Sequence, residues 1–306
     1  LSPSSAASDV YKRQVYICHL VYLIRLLPLL KSPIVCYVHE PLFRNIKNVE
    51  RPLSKKICDK VFRFFVHPIE KSCIKKAKVI LANSRYTRRC IYQSYKEDSS
   101  VLYPPIDTDK FTPSANQKNK IFIPGRIDPL KNQLMALKAL RLINKKYRDY
   151  EVMLEASYDS PHPYYASKIE SIVKKLEEVG WRFCRYKSIS DSELVKYYQV
   201  SIVTLYPPRF EPFGLIPLES MACCTPVISL NEGGPRESIL HGKTGFLCSN
   251  NTKEYAEYIQ YILDNPEEAK KMGVRGRKRV LNEFSQEQYI KKLKKFLEEV
   301  VWCCQE

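Results

Sequence analysis

A chain of 306 residues with 44% hydrophobic content is long enough to build two ordinary domains with real cores, which excludes disorder as the default. Lys and Arg number 50 against 33 Asp and Glu, a net charge of +17 that points to anionic partners: phosphorylated ligands, acidic lipid surfaces or nucleic acid. The 11 cysteines are odd in number and show neither CxxC nor Cys/His zinc spacing, so they read as small apolar residues in a reducing compartment rather than as a disulfide framework.

Residues 1–14, "LSPSSAASDVYKRQ", carry no signal-peptide pattern and read as a non-native leader outside the fold. The stretch "VYICHLVYLIRLLPLL" (15–30) is short for a membrane span and is interrupted by His19, Arg25 and Pro28, so it reads as a buried core helix. From there helical and strand-like segments alternate, and the strands are continuous apolar runs, as expected for a parallel sheet covered on both faces. "PIVCYV" (33–38), "KVILA" (78–82) and "SVLY" (100–103) are the first candidate strands, with a helix capped by Asn83-Ser84 between the last two. "PPIDTDKFTPSANQKNK" (104–120) has linker composition. We place a partial first lobe at 15–110, the linker at 111–119, a second lobe at 120–284 and a final helix at 285–306.

The second lobe restarts at "KIFIPGRIDPLKN" (120–132) and alternates again, with strands at "YEVMLEA", "RFCRY", "VSIVTLY", "PVISL" and "GFLC". That pattern is α/β with a doubly wound sheet. The terminal helices have start signals at Thr252, at Asn265-Pro266, and at Ser285 with Gln288 as a capping box.

Three loops at the carboxyl edge of that sheet carry the candidate chemistry. In "IFIPGRIDPLKN", Gly125 allows close backbone approach, and Arg126 and Lys131 could clamp a diphosphate, the guanidinium by a bidentate contact and the ammonium as a point charge. Two solvated basic residues among fifty is the bland reading. In "RFEPFGLIPLES" (209–220), Glu211 and Glu219 bracket a helix start at Gly214, where free backbone N–H groups attract phosphate while carboxylates accept hydrogen bonds from hydroxyls. A ligand with a diphosphate and polyhydroxylated rings needs this mixture; a dipole-complementing charge is the alternative for Glu219. In "NEGGPRES" (231–238), Gly233 and Gly234 permit a backbone-lined turn, or simply an ordinary tight one.

Together these stretches resemble the retaining GT4-type glycosyltransferases, the group 1 family of the two-lobed GT-B fold. "GRIDPLKN" resembles the family's Gly-Arg…Lys loop, "EPFGLIPLESMACCTPVI" its Glu-x7-Glu motif, and "GGPRESILHGKTGFLC" the loop and strand that follow. "YVHEP", "ANSRYTRR" and "YPPIDTDKF" resemble its first-lobe signatures. The resemblance runs from about residue 33 to about residue 290 and implies two Rossmann-like doubly wound lobes. The first lobe reads as incomplete, because no glycine-rich opening strand and loop precede "SPIVCYVHEP".

By that resemblance Arg126 and Lys131 bind the donor diphosphate and neutralise the charge growing on it. Glu211 holds the donor sugar, the backbone of Phe213, Gly214 and Leu215 meets sugar hydroxyls and phosphate, Glu219 holds the ribose, and Gly233 and Gly234 leave room nearby. His39 matches the histidine facing the transferred sugar, although a lone His is more often structural; Arg85 is a weaker diphosphate-side candidate. The implied reaction moves a sugar from a nucleotide-diphosphate donor, GDP-mannose or a UDP-sugar with mannose favoured, to a hydroxyl of a glycan or lipid-linked acceptor. Same-face transfer fits better than double displacement on Glu211, since the leaving phosphate needs no acid catalyst. By the same resemblance no metal is required, because two cations stand in for one. A non-catalytic nucleotide-diphosphate-binding fragment is the alternative, and a basic nucleic-acid-binding protein a more distant one without a recognised motif. The basic stretches 47–56 and 71–78 suit either a solvated face or an anionic membrane surface, which would place the protein in the cytoplasm, peripheral to a membrane's inner face.

Overall fold

The computed structural model describes residues 16–18, 34–39, 64, 67–115, 118–155, 162–186 and 189–302. They fall into two compact units, one running to Pro104 and resuming at Tyr289, the other spanning Pro105–Gln288.

The first unit has a parallel sheet whose described strands lie in chain order: β1 (Tyr16–Cys18), β2 (Ile34–Val38), β3 (Val79–Ala82) and β4 (Ser100–Val101). Strand β1 pairs in register with β2, Tyr16 opposite Ile34 and Cys18 opposite Cys36. This corrects the expected core helix over 15–30 at its start, since a mixed apolar run suits a buried strand as well as a buried helix; residues 19–30 lie outside the described part, as do 47–56 and the expected leader. Helix α1 (Arg85–Tyr95) begins where the Ser84 hydroxyl accepts the Thr87 N–H at 2.9 Å, as its cap predicts. It buries Ile91 and Tyr95 with Cys36 and Val38 from one sheet face. On Val35, Tyr37 and Leu81 lie Tyr289, Leu293, Phe296 and Leu297 of the final helix.

The second unit is a six-stranded parallel sheet made by β5 (Lys120–Ile123), β6 (Glu151–Glu155), β7 (Arg182–Tyr186), β8 (Ser201–Tyr206), β9 (Val227–Leu230) and β10 (Gly245–Cys248). Its order is β7-β6-β5-β8-β9-β10. The chain winds outward from β5 to β7, returns to the other side of β5 and winds outward again. Strand order therefore reverses between β5 and β8, and in such sheets the loops leaving those two strands part to form a crevice at the carboxyl edge. Both strands are close to fully buried, Ser201–Tyr206 along its whole length, and this is why they read as unbroken apolar runs.

The helices that cover this sheet are α2 (Gln133–Leu140), α3 (Pro163–Glu177), α4 (Asp191–Val200), α5 (Leu215–Ala222), the single turn α6 (Pro235–Ser238), α7 (Thr252–Asp264) and α8 (Pro266–Glu283). Ser190 and Glu193 form a reciprocal capping box at the start of α4. The cap of α7 is Asn251, one residue ahead of the expected Thr252: its side chain takes the Lys253 N–H at 2.9 Å. Final helix α9 (Gln286–Trp302) follows Ser285, whose hydroxyl accepts Gln288 N–H at 3.4 Å. The stretch expected to be a linker is held to the second unit. The Ile106 N–H donates to the Phe284 carbonyl at 2.8 Å, Phe111 is buried, and Arg277 donates to the Phe111 carbonyl at 2.9 Å.

Candidate functional site: a crevice between two strand ends

The residues that close the crevice come from the loops after β5, β8 and β9. After β5, Gly125 has φ of 101°, a left-handed conformation that glycine adopts without strain, and Arg126 follows it exposed to solvent. The loop is shaped by Asp128, whose carboxylate accepts Leu130 N–H at 2.8 Å and whose carbonyl accepts Lys131 N–H at 2.9 Å. Gln133, 1% exposed, reaches back from α2 and donates to the Gly125 and Arg126 carbonyls at 3.1 and 2.6 Å. This clasp fixes the backbone on which Arg126 stands. The Arg126 side chain is exposed, so its guanidinium donors are within reach of a ligand.

Lys131 turns toward the loop after β8. Its ammonium donates to Glu211 Oε2 at 2.8 Å and to the Tyr206 hydroxyl at 3.3 Å, with side-chain exposures of 26% for Lys131 and 20% for Glu211. Tyr206 is the last residue of β8 and is buried. Burial, then the charge of Glu211, pushes its hydroxyl's pKa well above the ordinary phenol range. The hydroxyl therefore stays protonated and can donate at any working pH. The two loops are also tied by backbone, Arg209 N–H to the Leu130 carbonyl at 2.7 Å.

Past Glu211 the chain reaches Gly214, with φ of 83°, at the N-terminal cap of α5. No side chain caps that helix, so its first backbone N–H groups are left for another acceptor. Phe213 is buried, whereas Leu215 is 43% exposed. Glu219, on the second turn, accepts the Tyr198 hydroxyl at 2.8 Å. Burial holds its carboxyl above the usual carboxylate range, against the pull of that hydrogen bond and of Lys110.

The loop after β9 supports the others. Gly234 N–H donates to the Glu211 carbonyl at 2.8 Å. A Cβ on Gly233 would lie 2.2 Å from that carbonyl oxygen, and one on Gly234 would lie 2.2 Å from Phe213 Cα. These glycines let two backbones touch, a role for which the expected backbone-lined turn was only a partial description. Arg209 spans the same pair of loops through Glu232 at 2.9 Å.

The second unit thus brings Gly125, Arg126, Lys131, Glu211, Phe213, Gly214, Leu215, Glu219, Gly233 and Gly234 to one sheet edge. His39 belongs to the first unit, exposed at the end of β2, where its ring lies 4.6 Å from Tyr37 and its carbonyl accepts the Asn83 amide at 2.8 Å. Arg85 opens α1 in the same unit. Sequence reasoning passed over Tyr206, Tyr198 and Gln133. Only the place of Tyr206, ending an apolar strand just before the Glu211 loop, offered a signal. Among the described residues, no group of three or more His, Cys, Asp or Glu is placed to hold a metal, and no helix is long and apolar enough to cross a membrane.

A parallel sheet of order 3-2-1-4-5-6 with basic and acidic loops at its switch point defines a doubly wound α/β protein of the Rossmann-like class. The family model described as "Glycosyl transferases group 1" matches residues 106–279, and the chain belongs to that family. The chain is similar to the alpha-1,3/1,6-mannosyltransferase ALG2 of Homo sapiens, with 28% identity over 78% of this chain and 62% of that protein. The ALG2 of Dictyostelium discoideum is likewise 28% identical, over 83% of this chain and 67% of that one. The chain therefore spans somewhat under two thirds of the human relative's length. Among solved structures, sucrose-phosphate synthase from Thermosynechococcus elongatus superposes with a TM-score of 0.77 at 19% identity, covering 97% of this chain and 77% of that one. The Anabaena protein Alr3699/HepE, solved with UDP, also gives 0.77 at 15% identity, over 97% and 82%. These likenesses establish the fold class as the α/β GT-B type.

Proposed function

We propose that the chain is a retaining hexosyltransferase that takes a nucleotide-diphosphate sugar into the crevice between β5 and β8. The observation that carries this is the Lys131–Glu211 pair at 2.8 Å beside an uncapped helix start: a cation, a carboxylate and free N–H groups within one switch-point crevice. Arg126 and Lys131 take the diphosphate, the backbone of Phe213, Gly214 and Leu215 takes phosphate and sugar oxygens, Glu211 takes sugar hydroxyls and Glu219 the ribose. The ALG2 relatives are named mannosyltransferases, which favours mannose, and HepE is solved with UDP-glucose, which supports a nucleotide-sugar donor; GDP-mannose or a UDP-sugar is the donor in our reading.

In the chemistry we propose, the bond between the anomeric carbon and the diphosphate oxygen breaks with its electron pair going to the phosphate. Lys131 and Arg126 stabilise that growing charge. The acceptor hydroxyl attacks the same face, and its proton passes to the departing phosphate oxygen. Glu211 is a poor candidate for a covalent nucleophile in this reading, since its carboxylate, once the diphosphate draws Lys131 away, is taken up by sugar hydroxyls. A glycosidase-like double displacement would also need a second carboxyl group as acid. The acceptor in this reading is a glycan or lipid-linked hydroxyl, and the basic stretches 47–56 and 71–78 would hold the protein against an anionic membrane.

A thermal-shift and hydrolysis panel with GDP, UDP, GDP-mannose and UDP-glucose tests this. At a hundredfold excess over Kd a ligand stabilises by about 2.7 kcal/mol, a clear shift in melting temperature. The expected result is a shift with a nucleoside diphosphate and slow release of sugar from one donor. A shift without any turnover would make the chain a nucleotide-binding unit only. No shift with any of the four would remove the donor site altogether.

A further inference from the structure

We propose that Tyr206 is a positioning residue that keeps Lys131 and Glu211 in register when the donor separates their charges, so that diphosphate binding prepares Glu211 for the sugar. The inference rests on the donor-site reading above and deepens it. Lys131 and Glu211 satisfy one another at 2.8 Å. A bound diphosphate competes for the ammonium, and the carboxylate it gives up becomes free to accept from sugar hydroxyls. Two flexible side chains released from each other would lose their mutual alignment, and realignment costs rotamer freedom.

Tyr206 is built to hold both. Its hydroxyl accepts from Lys131 at 3.3 Å, and its ring packs beside the Glu211 side chain, whose charge the hydroxyl feels, so it stays next to each partner after their own contact opens. The hydroxyl cannot wander, because Tyr206 ends a strand buried along its whole length and its own exposure is 2%. A Cβ on Gly214 would lie 3.4 Å from Tyr206 Cε1 and 3.3 Å from Glu211 Cγ, so ring, carboxylate and helix start form one packed layer beneath the crevice. Lys131 also stands over the ring face, 5.6 Å from its centroid. The ring persists in a phenylalanine and the hydroxyl does not, which separates packing from positioning.

Tyr206→Phe is therefore measured for binding of GDP, UDP, GDP-mannose and UDP-glucose by calorimetry, for donor hydrolysis, and for melting. We expect nucleoside-diphosphate affinity within about twofold of the wild type, donor-sugar affinity lowered about fivefold, and kcat of hydrolysis lowered about tenfold, the size of one hydrogen bond lost between bound states. That split between nucleotide and nucleotide-sugar is what a purely structural role would not produce. Equal losses for both ligand classes, no loss for either, or a fall in melting temperature beyond about ten degrees would each overturn the positioning role. Failure of the wild type to bind either nucleoside diphosphate would instead remove the donor-site reading on which the inference stands.

Discussion

Glu211 and Glu219 are eight residues apart on one loop and helix, yet they are held in opposite ways. Glu211 faces a cation and a tyrosine hydroxyl across the seam between two strands. Glu219 accepts from a tyrosine hydroxyl, feels Lys110 only through space, and sits deep enough that its proton is held more tightly than usual. Two carboxylates flanking a helix start look from spacing like an acid and base couple, and their settings say otherwise. One is ion-paired with a lysine, and the other is a more deeply set acceptor of a tyrosine hydroxyl. Position relative to the switch point decides which: Glu211 lies where β5 and β8 part, whereas Glu219 rides on α5 above the buried side chain of α4.

The largest expected effect comes from destroying the Glu211 side. Lys131→Ala should lower donor turnover by about 10²–10³-fold, the loss seen when one group stabilising a developing oxyanion is removed. Steady-state hydrolysis of the donor found in the panel measures it, and a fall under about threefold would deny Lys131 the role. Next is Gly234→Ala, which acts on the same side through backbone alone. Its Cβ would collide with Phe213 Cα at 2.2 Å and displace the Glu211 loop, at a cost of about 3 kcal/mol or a melting fall of several degrees. Unchanged melting and unchanged nucleotide binding would show that the loops have room the packing does not suggest.

A smaller change sharpens the Glu219 side. Tyr198→Phe removes the donor to Glu219 and should cost about 1 kcal/mol of stability. It should weaken GDP and GDP-mannose binding by the same small factor, because ribose is common to both. A selective loss of the sugar nucleotide in this variant would erase the distinction between the two glutamates.

The asymmetry was only half legible in the residues. Apolar runs such as "VSIVTLY" gave their strands because burial on both faces leaves a composition signal, and the glycines gave their loops because backbone geometry restricts residue type. Glu211, Glu219, Arg126 and Lys131 stood out as charges beside those glycines. Tyr206, Tyr198 and Gln133 did not, since each looks like an ordinary core or helix residue until neighbouring elements are known. That β5 lies against β8 is a pairing between residues some eighty positions apart, and no local pattern encodes it. The strand Tyr16–Cys18 escaped for a related reason: its apolar neighbours continue far enough to suggest a helix, and only pairing with β2 distinguishes the two.

The most discriminating test at the small end is Glu219→Gln across pH. Burial raises the Glu219 pKa in the folded state, so the folded chain binds that proton more readily than the unfolded one. The sign follows: the contribution is present in full below the unfolded pKa of about 4.3 and is lost as pH rises through the raised folded value. Glutamine mimics the protonated carboxyl and can still accept from Tyr198, so it escapes that loss. The variant's stability relative to wild type should therefore climb from pH 4 upward and level off once the wild-type carboxyl is ionised in both states, as read from denaturant midpoints. Nucleoside-diphosphate affinity at pH 7 should move the other way, since an amide offers ribose hydroxyls one weaker acceptor where the carboxylate offered two charged ones. A residue whose replacement stabilises the fold and weakens the ligand is one kept for binding at a cost to stability. If glutamine instead destabilised the chain at neutral pH and left nucleotide affinity intact, Glu219 would be a structural partner of Tyr198 and the ribose end of the crevice would have to lie elsewhere.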